Sequence, residues 1–330
     1  MRKAFKVIGI ILGIIILFVV GAGFYVKTFL PDVGPAPDIK IVSTPEKIAH
    51  GRYLANHVMI CMDCHSTREW NFYAGPMAPD SIGMGGERFD QRAGFPGVIY
   101  AANITPAGIG NWTDGEVFRA ITAGVRKNGK PIFPVMPHRN YGLLDPKDIE
   151  SIIAYLRSLP PVVNTPPESD YDFPFNFIVN TIPKKAKLST RPDSSDKLAY
   201  GKYVITAASC GDCHTPFEDG NFDTAFSFAG GRSFQMPAGV VTSPNITPDN
   251  ETGIGTWTKE IFVSKFSAYR DSAFSHRPID FMKDPSTVMP WSVYAGMSDN
   301  DLGAIYEYLR SLKPIKNNIV KFQPNAPKNH

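Results

Sequence analysis

Two five-residue segments carry the chemistry of this chain: Cys61-Met62-Asp63-Cys64-His65 and Cys210-Gly211-Asp212-Cys213-His214. Both read C-x-x-C-H, the attachment pattern of a c-type haem. On a helix the two thiols stand about one turn apart, so each can add to one vinyl group of a porphyrin. The adjoining imidazole then lies beneath the ring, where it binds iron from one face. The chain has 4 cysteines, and the two motifs use all of them. Three other readings of a Cys-x-x-Cys pair compete. A redox-active dithiol belongs in a strand-helix-strand setting, which the flanking residues lack. A zinc site made from two pairs usually has about twelve to twenty residues between them, whereas Cys210 follows Cys64 by 146 positions. Structural disulfides, permitted outside the cytosol, leave the histidine after each pair unexplained.

An iron held by one histidine needs something on its other face. Met136, in Pro134-Val135-Met136-Pro137, lies 71 residues beyond His65, and Met289, in Val288-Met289-Pro290, lies 75 beyond His214. A proline-bounded loop restrains the thioether, and sulfur as a soft ligand raises the potential. Met59, Met62, Met84 and Met297 have no counterpart in the other half and read as core fillers. His57, His138 and His276 also stand alone and read as surface or hydrogen-bonded residues. Two readings stay open for Trp112, Trp257, Arg88 and Arg232: packing residues, or donors to haem propionates.

The elements that must position these groups come twice. Thr44-Pro45 predicts a helix start running toward Cys61, and Thr113-Asp114-Gly115-Glu116 is a capping box. Asp145-Pro146 starts a further helix, with Ile149, Ile152, Ile153 and Leu156 on one face. Ser298 opens the last, which carries Leu302, Ile305, Tyr306 and Leu309. Lys197-Leu198-Ala199-Tyr200-Gly201 repeats Lys47-Ile48-Ala49-His50-Gly51 in pattern, and Asn245-Ile246-Thr247-Pro248 repeats Asn103-Ile104-Thr105-Pro106. Tyr308-Leu309-Arg310-Ser311-Leu312 copies Tyr155-Leu156-Arg157-Ser158-Leu159. The two Asn-Ile-Thr sequons, each followed by Pro, read as structural turns rather than glycosylation sites. This repetition predicts a mainly α chain of two helical domains, 44–160 and 194–330. The linker between them, 161–193, is rich in proline. Its Phe173, Phe175, Phe177 and Ile178 are too apolar for a solvated tether and are expected to pack against a domain.

From Val7 to Val26 the chain is uncharged, long enough to cross a bilayer as a helix. Arg2, Lys3 and Lys6 precede it, which leaves the N-terminus in the cytoplasm and exports the remainder. Residues 1–30 therefore read as a retained membrane anchor and 31–43 as a tether; a cleaved signal peptide ending near Val20-Gly21-Ala22 is the competing reading. Lysine plus arginine number 34 and aspartate plus glutamate 31. Four of those cations, Arg2, Lys3, Lys6 and Lys27, belong to the N-terminal segment, so the exported part is close to neutral, and about four haem propionates would make it mildly acidic. No basic-aromatic stripe suggests nucleic acid as a partner.

With these motifs in view, each repeat resembles a class I cytochrome c domain: N-terminal helix, C-x-x-C-H, glycine-rich middle, methionine loop, C-terminal helix. The Asn-Ile-Thr-Pro and Gly-Ile-Gly-x-Trp segments and the Tyr-Leu-Arg-Ser-Leu helix end are similar to those of the multihaem cytochrome c subunits of bacterial membrane-bound alcohol and gluconate dehydrogenases. The resemblance covers about residues 44–160 and 194–315. It implies two covalently bound haem c groups. Cys61, Cys64, His65 and Met136 would hold one, and Cys210, Cys213, His214 and Met289 the other. It also implies electron transfer from a periplasmic dehydrogenase or quinol-oxidising complex toward an oxidase or small cytochrome. The chain would sit in the bacterial inner membrane by a single pass, its haem domains facing the periplasm. Those subunits usually carry three haem domains and a C-terminal membrane attachment, whereas this chain has two motifs and an N-terminal apolar segment. A two-haem peroxidase and the cytochrome subunit of a haem-copper oxidase are the alternatives. If both motifs carry thioether-linked haem, acid-acetone extraction of the denatured protein leaves its colour in place and mass spectrometry reads two added haems. A colourless extracted chain at its bare mass would end this reading.

Overall fold

The structure, a computed structural model, describes residues 2–218 and 220–325. It begins with α1 (Arg2–Phe29), a helix with an 18-residue stretch of mean hydropathy 2.9 and with none of its residues buried. That helix is long and apolar enough to cross a membrane, as an anchor or as a signal segment. Beyond it the helices that carry and flank the two Cys motifs, each with a strand pair between them, appear in the same order twice.

The first half starts with α2 (Pro45–Tyr53), whose Thr44 hydroxyl accepts from the amide of Lys47. The short helix α3 (Cys61–Cys64) follows, then the strands β1 (Arg88–Phe89) and β2 (Gly97–Tyr100). Next come α4 (Pro106–Ile109), α5 (Asp114–Ala123), α6 (His138–Tyr141) and α7 (Pro146–Ser158). Thr113 and Glu116 form the capping box of α5, and Asp145 caps α7. Such caps each contribute roughly 1 kcal/mol by satisfying orphan amides. The intervening segment holds β3 (Asp170–Tyr171) and α8 (Phe175–Ile178). The second half is α9 (Lys197–Ala207), α10 (Cys210–His214), the hairpin β4 (Phe217–Glu218) and β5 (Asn221–Phe222), then β6 (Ser233–Met236) and β7 (Gly239–Thr242). It ends with α11 (Lys259–Ser267), α12 (Ser272–Ser275), α13 (Trp291–Tyr294), α14 (Asp299–Ser311) and β8 (Phe322–Pro324). Ser298 caps α14.

In each half the first and last helices cross with their backbones in contact. A Cβ on Gly51 would lie 1.8 Å from the carbonyl oxygen of Ser151 in α7, and one on Gly201 would lie 2.1 Å from that of Ala304 in α14. Only glycine permits this approach. The apolar faces read from the sequence meet there: Ile149, Ile152, Ile153 and Leu156 are buried, as are Leu302, Ile305 and Leu309.

After its last helix, each half sends the chain back along its own surface. β3 pairs antiparallel with β2, and β8 pairs antiparallel with β7. The two Asn-Ile-Thr segments fasten these returns. Asn103 Nδ2 donates to the carbonyls of Val162 and Asn164, while its Oδ1 accepts from Thr105. Asn245 does the same with Ile315 and Thr247. Both asparagines are buried, so they are structural turns, as their proline context suggests.

The halves differ at one helix. Tyr53 precedes Cys61 by eight positions, but Tyr203 precedes Cys210 by seven. The extra residue is absorbed by a π-helical turn over Leu54–Val58. Of the apolar linker residues, Phe175 packs against Phe133 of the first half and Tyr171 of β3. Phe173 and Ile178 depart from the expectation and stand 82% and 46% exposed. Gly201→Ala forces a methyl into a main-chain oxygen, a clash of the overpacking kind worth about 1–3 kcal/mol or more. Thermal unfolding should show a midpoint several degrees lower; an unchanged midpoint would mean the helices do not cross this closely.

Candidate cofactor sites

Both Cys-bearing helices enter from a residue in left-handed conformation, Ile60 at φ 46° and Ser209 at φ 55°. That turn redirects the chain so that the histidine at the far end faces inward. His65 Nδ1 lies 2.6 Å from the carbonyl oxygen of Ala102, and His214 Nδ1 lies 2.8 Å from that of Pro244. A ring that donates from Nδ1 to a carbonyl presents the lone pair of Nε2, the arrangement in which histidine binds a metal. Burial holds both imidazoles below the ordinary histidine range, which keeps them neutral. Burial also pushes the free Cys61 and Cys210 thiols up to about 12, opposite to the depressed values of reactive dithiols. Among the described residues no three His, Cys, Asp or Glu side chains converge, so the two cysteine pairs do not share one ion.

The methionines sit in matching turns. The carbonyl of Met136 accepts from the amide of His138 at 2.7 Å, and that of Met289 from Trp291 at 2.8 Å. Pro137 and Pro290 between them have φ −79°, ψ 51° and φ −81°, ψ 65°. These are inverse γ-turns, shaped for proline's restricted φ. Both methionines are half-buried against the apolar core. Five residues after each stands a buried tyrosine: Tyr141 Oη donates to the carbonyl of Met59 at 2.5 Å, and Tyr294 Oη to that of Ala208 at 2.6 Å. Met59 and Ala208 each lie two residues before the first cysteine. The tyrosines therefore tie each methionine-bearing segment to the adjoining Cys-bearing helix. The sequence analysis did not single them out, although the Met-Pro-x-x-x-Tyr recurrence is visible in it. Two half-buried thiols, an imidazole with Nε2 free and a restrained thioether form a donor set whose chemistry fits a covalently held haem.

Other candidates fall differently. Trp112 and Trp257 pack against the core. Arg232 donates to the carbonyl of Asp212 and lies among the rings of Phe217, Phe222 and Phe234. Its positional match, Arg88, instead pairs with Asp90 at the surface. The first motif receives Arg68, whose guanidinium makes a buried 3.2 Å ion pair with Asp63 and covers the Trp70 ring at 4.3 Å. An aspartate before the second cysteine of both motifs was the available signal. His138 is buried, and burial lowers it to about 4. His57 Nδ1 lies 3.1 Å from the Val293 carbonyl oxygen, and His276 meets Ser275.

The halves face one another through reciprocal bonds. Tyr53 Oη donates to Asp301 at 2.5 Å and Tyr203 Oη to Asp148 at 2.6 Å, each across to the opposite half. The same hydroxyls accept from the amides of Ser298 and Asp145, the caps of α14 and α7. His50 meets Asp148, and Tyr200 meets Asp301, both at 2.8 Å. Asn140 in α6 reaches Ser209 and Asp212 of the opposite C-x-x-C-H segment, at 3.1 Å each.

Insertions form a second contact. The first half has 38 positions from His65 to Asn103 where the second has 31 from His214 to Asn245. The second has 32 from Trp257 to Met289 where the first has 24 from Trp112 to Met136. The longer loops meet: Tyr73 donates its amide to Arg277, Ile279 donates to Asn71, and Trp70 stacks on Phe281 at 4.9 Å.

Residues 198–313 match the family model for cytochrome c, which implies a covalently bound haem c in that part of the chain. The chain is 26% identical over 283 residues to the alcohol dehydrogenase (quinone) cytochrome c subunit of Gluconacetobacter polyoxogenes, covering 81% of this chain and 56% of that protein. It is 29% identical over 283 residues to the fructose dehydrogenase cytochrome subunit of Gluconobacter japonicus, covering 80% and 52%. A diheme cytochrome c-type protein of Cereibacter sphaeroides is 27% identical over 272 residues, covering 78% of this chain and 83% of its own length. The chain thus spans about half the length of the dehydrogenase subunits it resembles.

The interface has a pH signature. The Asp148 carboxyl is held below its usual value: burial opposes this, but bonds from His50 and Tyr203 and the Arg191 charge outweigh it. A depressed carboxyl adds stability above the unfolded value of about 4, lost as pH falls through the folded value. Tyr203→Phe should therefore cost about 1.5–3 kcal/mol near neutral pH, as for bonds to charged groups. The deficit should shrink in denaturant titrations run below that carboxyl range. A deficit independent of pH would remove Asp148 from the account.

Proposed function

We propose that this chain is a membrane-anchored dihaem cytochrome c. It relays electrons between a periplasmic dehydrogenase or quinol-oxidising complex and a downstream acceptor such as an oxidase or small cytochrome. Cys61 and Cys64 attach one haem, with His65 and Met136 as its axial ligands. Cys210 and Cys213 attach the other, with His214 and Met289. Residues 44–160 and 194–330 are the two haem domains, and 1–30 hold them at the outer face of the inner membrane. The observation that carries this reading is the duplicate support: in both halves a carbonyl orients the histidine, and a tyrosine ties the methionine segment to the cysteine helix.

The bound haem supplies one-electron chemistry; the protein supplies position and potential. His65 and His214 keep Nε2 free through their Nδ1 bonds. Met136 and Met289, held by proline turns, would supply a thioether to each haem, which would favour the ferrous state. With a side chain assigned to each axial position, oxygen and peroxide have no free place to bind, which favours relay over peroxidase chemistry. The relatives named as dehydrogenase cytochrome subunits support a dehydrogenase as donor.

Met136→Ala and Met289→Ala test the assignment separately. Each should remove about half of the weak near-infrared sulfur-to-ferric band and lower one of the two potentials. Each should also open one iron to carbon monoxide, which the parent binds slowly. A full band in either variant would assign that iron a different ligand; prompt carbon monoxide binding and peroxide turnover by the parent would replace the relay with an enzyme.

A further inference from the structure

We propose that the linker segment 173–178 is a membrane-interface wedge. It lies in the headgroup layer of the bilayer crossed by α1 and presses the first half against that surface. This rests on the reading of α1 as a retained anchor.

Three observations place the segment. First, its described contacts with α1 lie at Gly23 and Lys27, near the C-terminal end of that helix. The Phe177 ring lies 3.5 Å from the position a Cβ on Gly23 would take, and the Lys27 ammonium stands 4.8 Å from the ring centroid. Lys27 also donates to the carbonyl of Asn176 at 2.9 Å. Lys27 is the first charge after the uncharged run, so it marks the water-facing end of the span. At about 1.5 Å per residue, Gly23 lies roughly 6 Å deeper. Phe177 therefore sits between the charged boundary and the acyl chains.

Second, the segment has two faces. Its inner face is fixed to protein: Phe175 packs on Phe133 and Tyr171, and Val179 is buried. Its outer face is apolar and open, with Phe173 82% and Ile178 46% exposed. Phe173 stands edge-on to Phe177 at 6.4 Å, so the open patch continues directly from the ring that rests on α1.

Third, the charge beside the patch suits lipid. Lys184, Lys185 and Lys187 follow it within nine residues and are exposed, so an aromatic segment is followed in sequence by cations, a combination that suits anionic headgroups. Lipid is the occupant because the patch adjoins a helix that has no buried residue and whose large apolar side chains from Phe5 to Tyr25 stand exposed. A second consequence concerns the first cofactor site. Phe133, on which the wedge packs, lies three residues before Met136. The wedge thus orients the methionine side of that site relative to the membrane.

Nitroxide labels test this in the full chain with both haems attached and reduced, in nanodiscs of zwitterionic and anionic phospholipid. Phe173→Cys and Ile178→Cys carry the label in turn. Phe18→Cys, within α1, and Val163→Cys, in the exposed segment after α7, are references. The unsubstituted holoprotein, with no free thiol, is the blank. Power saturation compares collisions with oxygen, which partitions into lipid, and with a water-soluble nickel chelate. Labels at 173 and 178 should favour oxygen, as at 18, while that at 163 favours nickel. Labels at 173 and 178 that favour nickel while 18 favours oxygen would overturn the wedge and leave the anchor intact. A nickel preference at 18 would overturn the anchor, and the wedge with it.

Discussion

Each half is organised by a contact between backbones. Where Gly51 meets Ser151 and Gly201 meets Ala304, two helices cross with no side chain between them. The crossing sets where the cysteine-bearing segment begins and where the methionine-bearing segment must return. Closure of the proposed site then needs few further bonds. One tyrosine hydroxyl joins the end of the methionine segment to a carbonyl two residues before the first cysteine. That carbonyl is buried, so losing the hydroxyl leaves an acceptor unpaired, at about 1–3 kcal/mol. The same bond that closes the site is therefore also part of what keeps the half folded.

What was legible in the sequence was local or repeated. Thr44, Thr113, Asp145 and Ser298 are caps because a cap is written within four residues. The motifs and methionines stand out because they occur twice. The contacts between Tyr73 and Arg277 or Trp70 and Phe281 were not legible. Their partners lie some two hundred positions apart in loops without periodicity, and nothing within either loop names the other. The π turn is visible only as a one-residue difference in spacing, which acquires meaning once the helix is seen to swallow it. Arg88 follows a glycine pair as Arg232 does, yet its guanidinium pairs with Asp90. The cation beside the first motif came from Arg68, in an insertion the second half lacks.

Duplication explains the reciprocal bonds. Tyr53 and Tyr203 occupy equivalent positions, as do Asp148 and Asp301, so a two-fold-like arrangement lets each tyrosine reach the other half's aspartate. The insertions then break the equivalence. One half offers a longer loop after its cysteine motif, the other a longer loop before its methionine, and the two extra lengths meet only once. The linker also packs on the first half through β3 and α8 and carries the described contacts of α1, so the halves differ in surroundings even where their proposed sites match.

The seam between the halves orients more than it adheres. Asp148 is almost wholly buried and receives bonds from His50, Tyr203 and Arg191. Buried carboxylates cost much of what their partners return, so such a seam adds little net affinity. A slide by one helical turn, however, would strip the carboxylates of their donors and cost several kcal/mol. An apolar seam would tolerate that slide. The loop contact between 70–74 and 277–286 is a second attachment at a separate place, and two separated attachments remove the rotation that one leaves free. Asn140, from the helix that follows Met136, meets the second cysteine motif within this fixed frame. Under the dihaem reading, the separation of the two irons is then set by the folded chain, and transfer between them needs no encounter between domains.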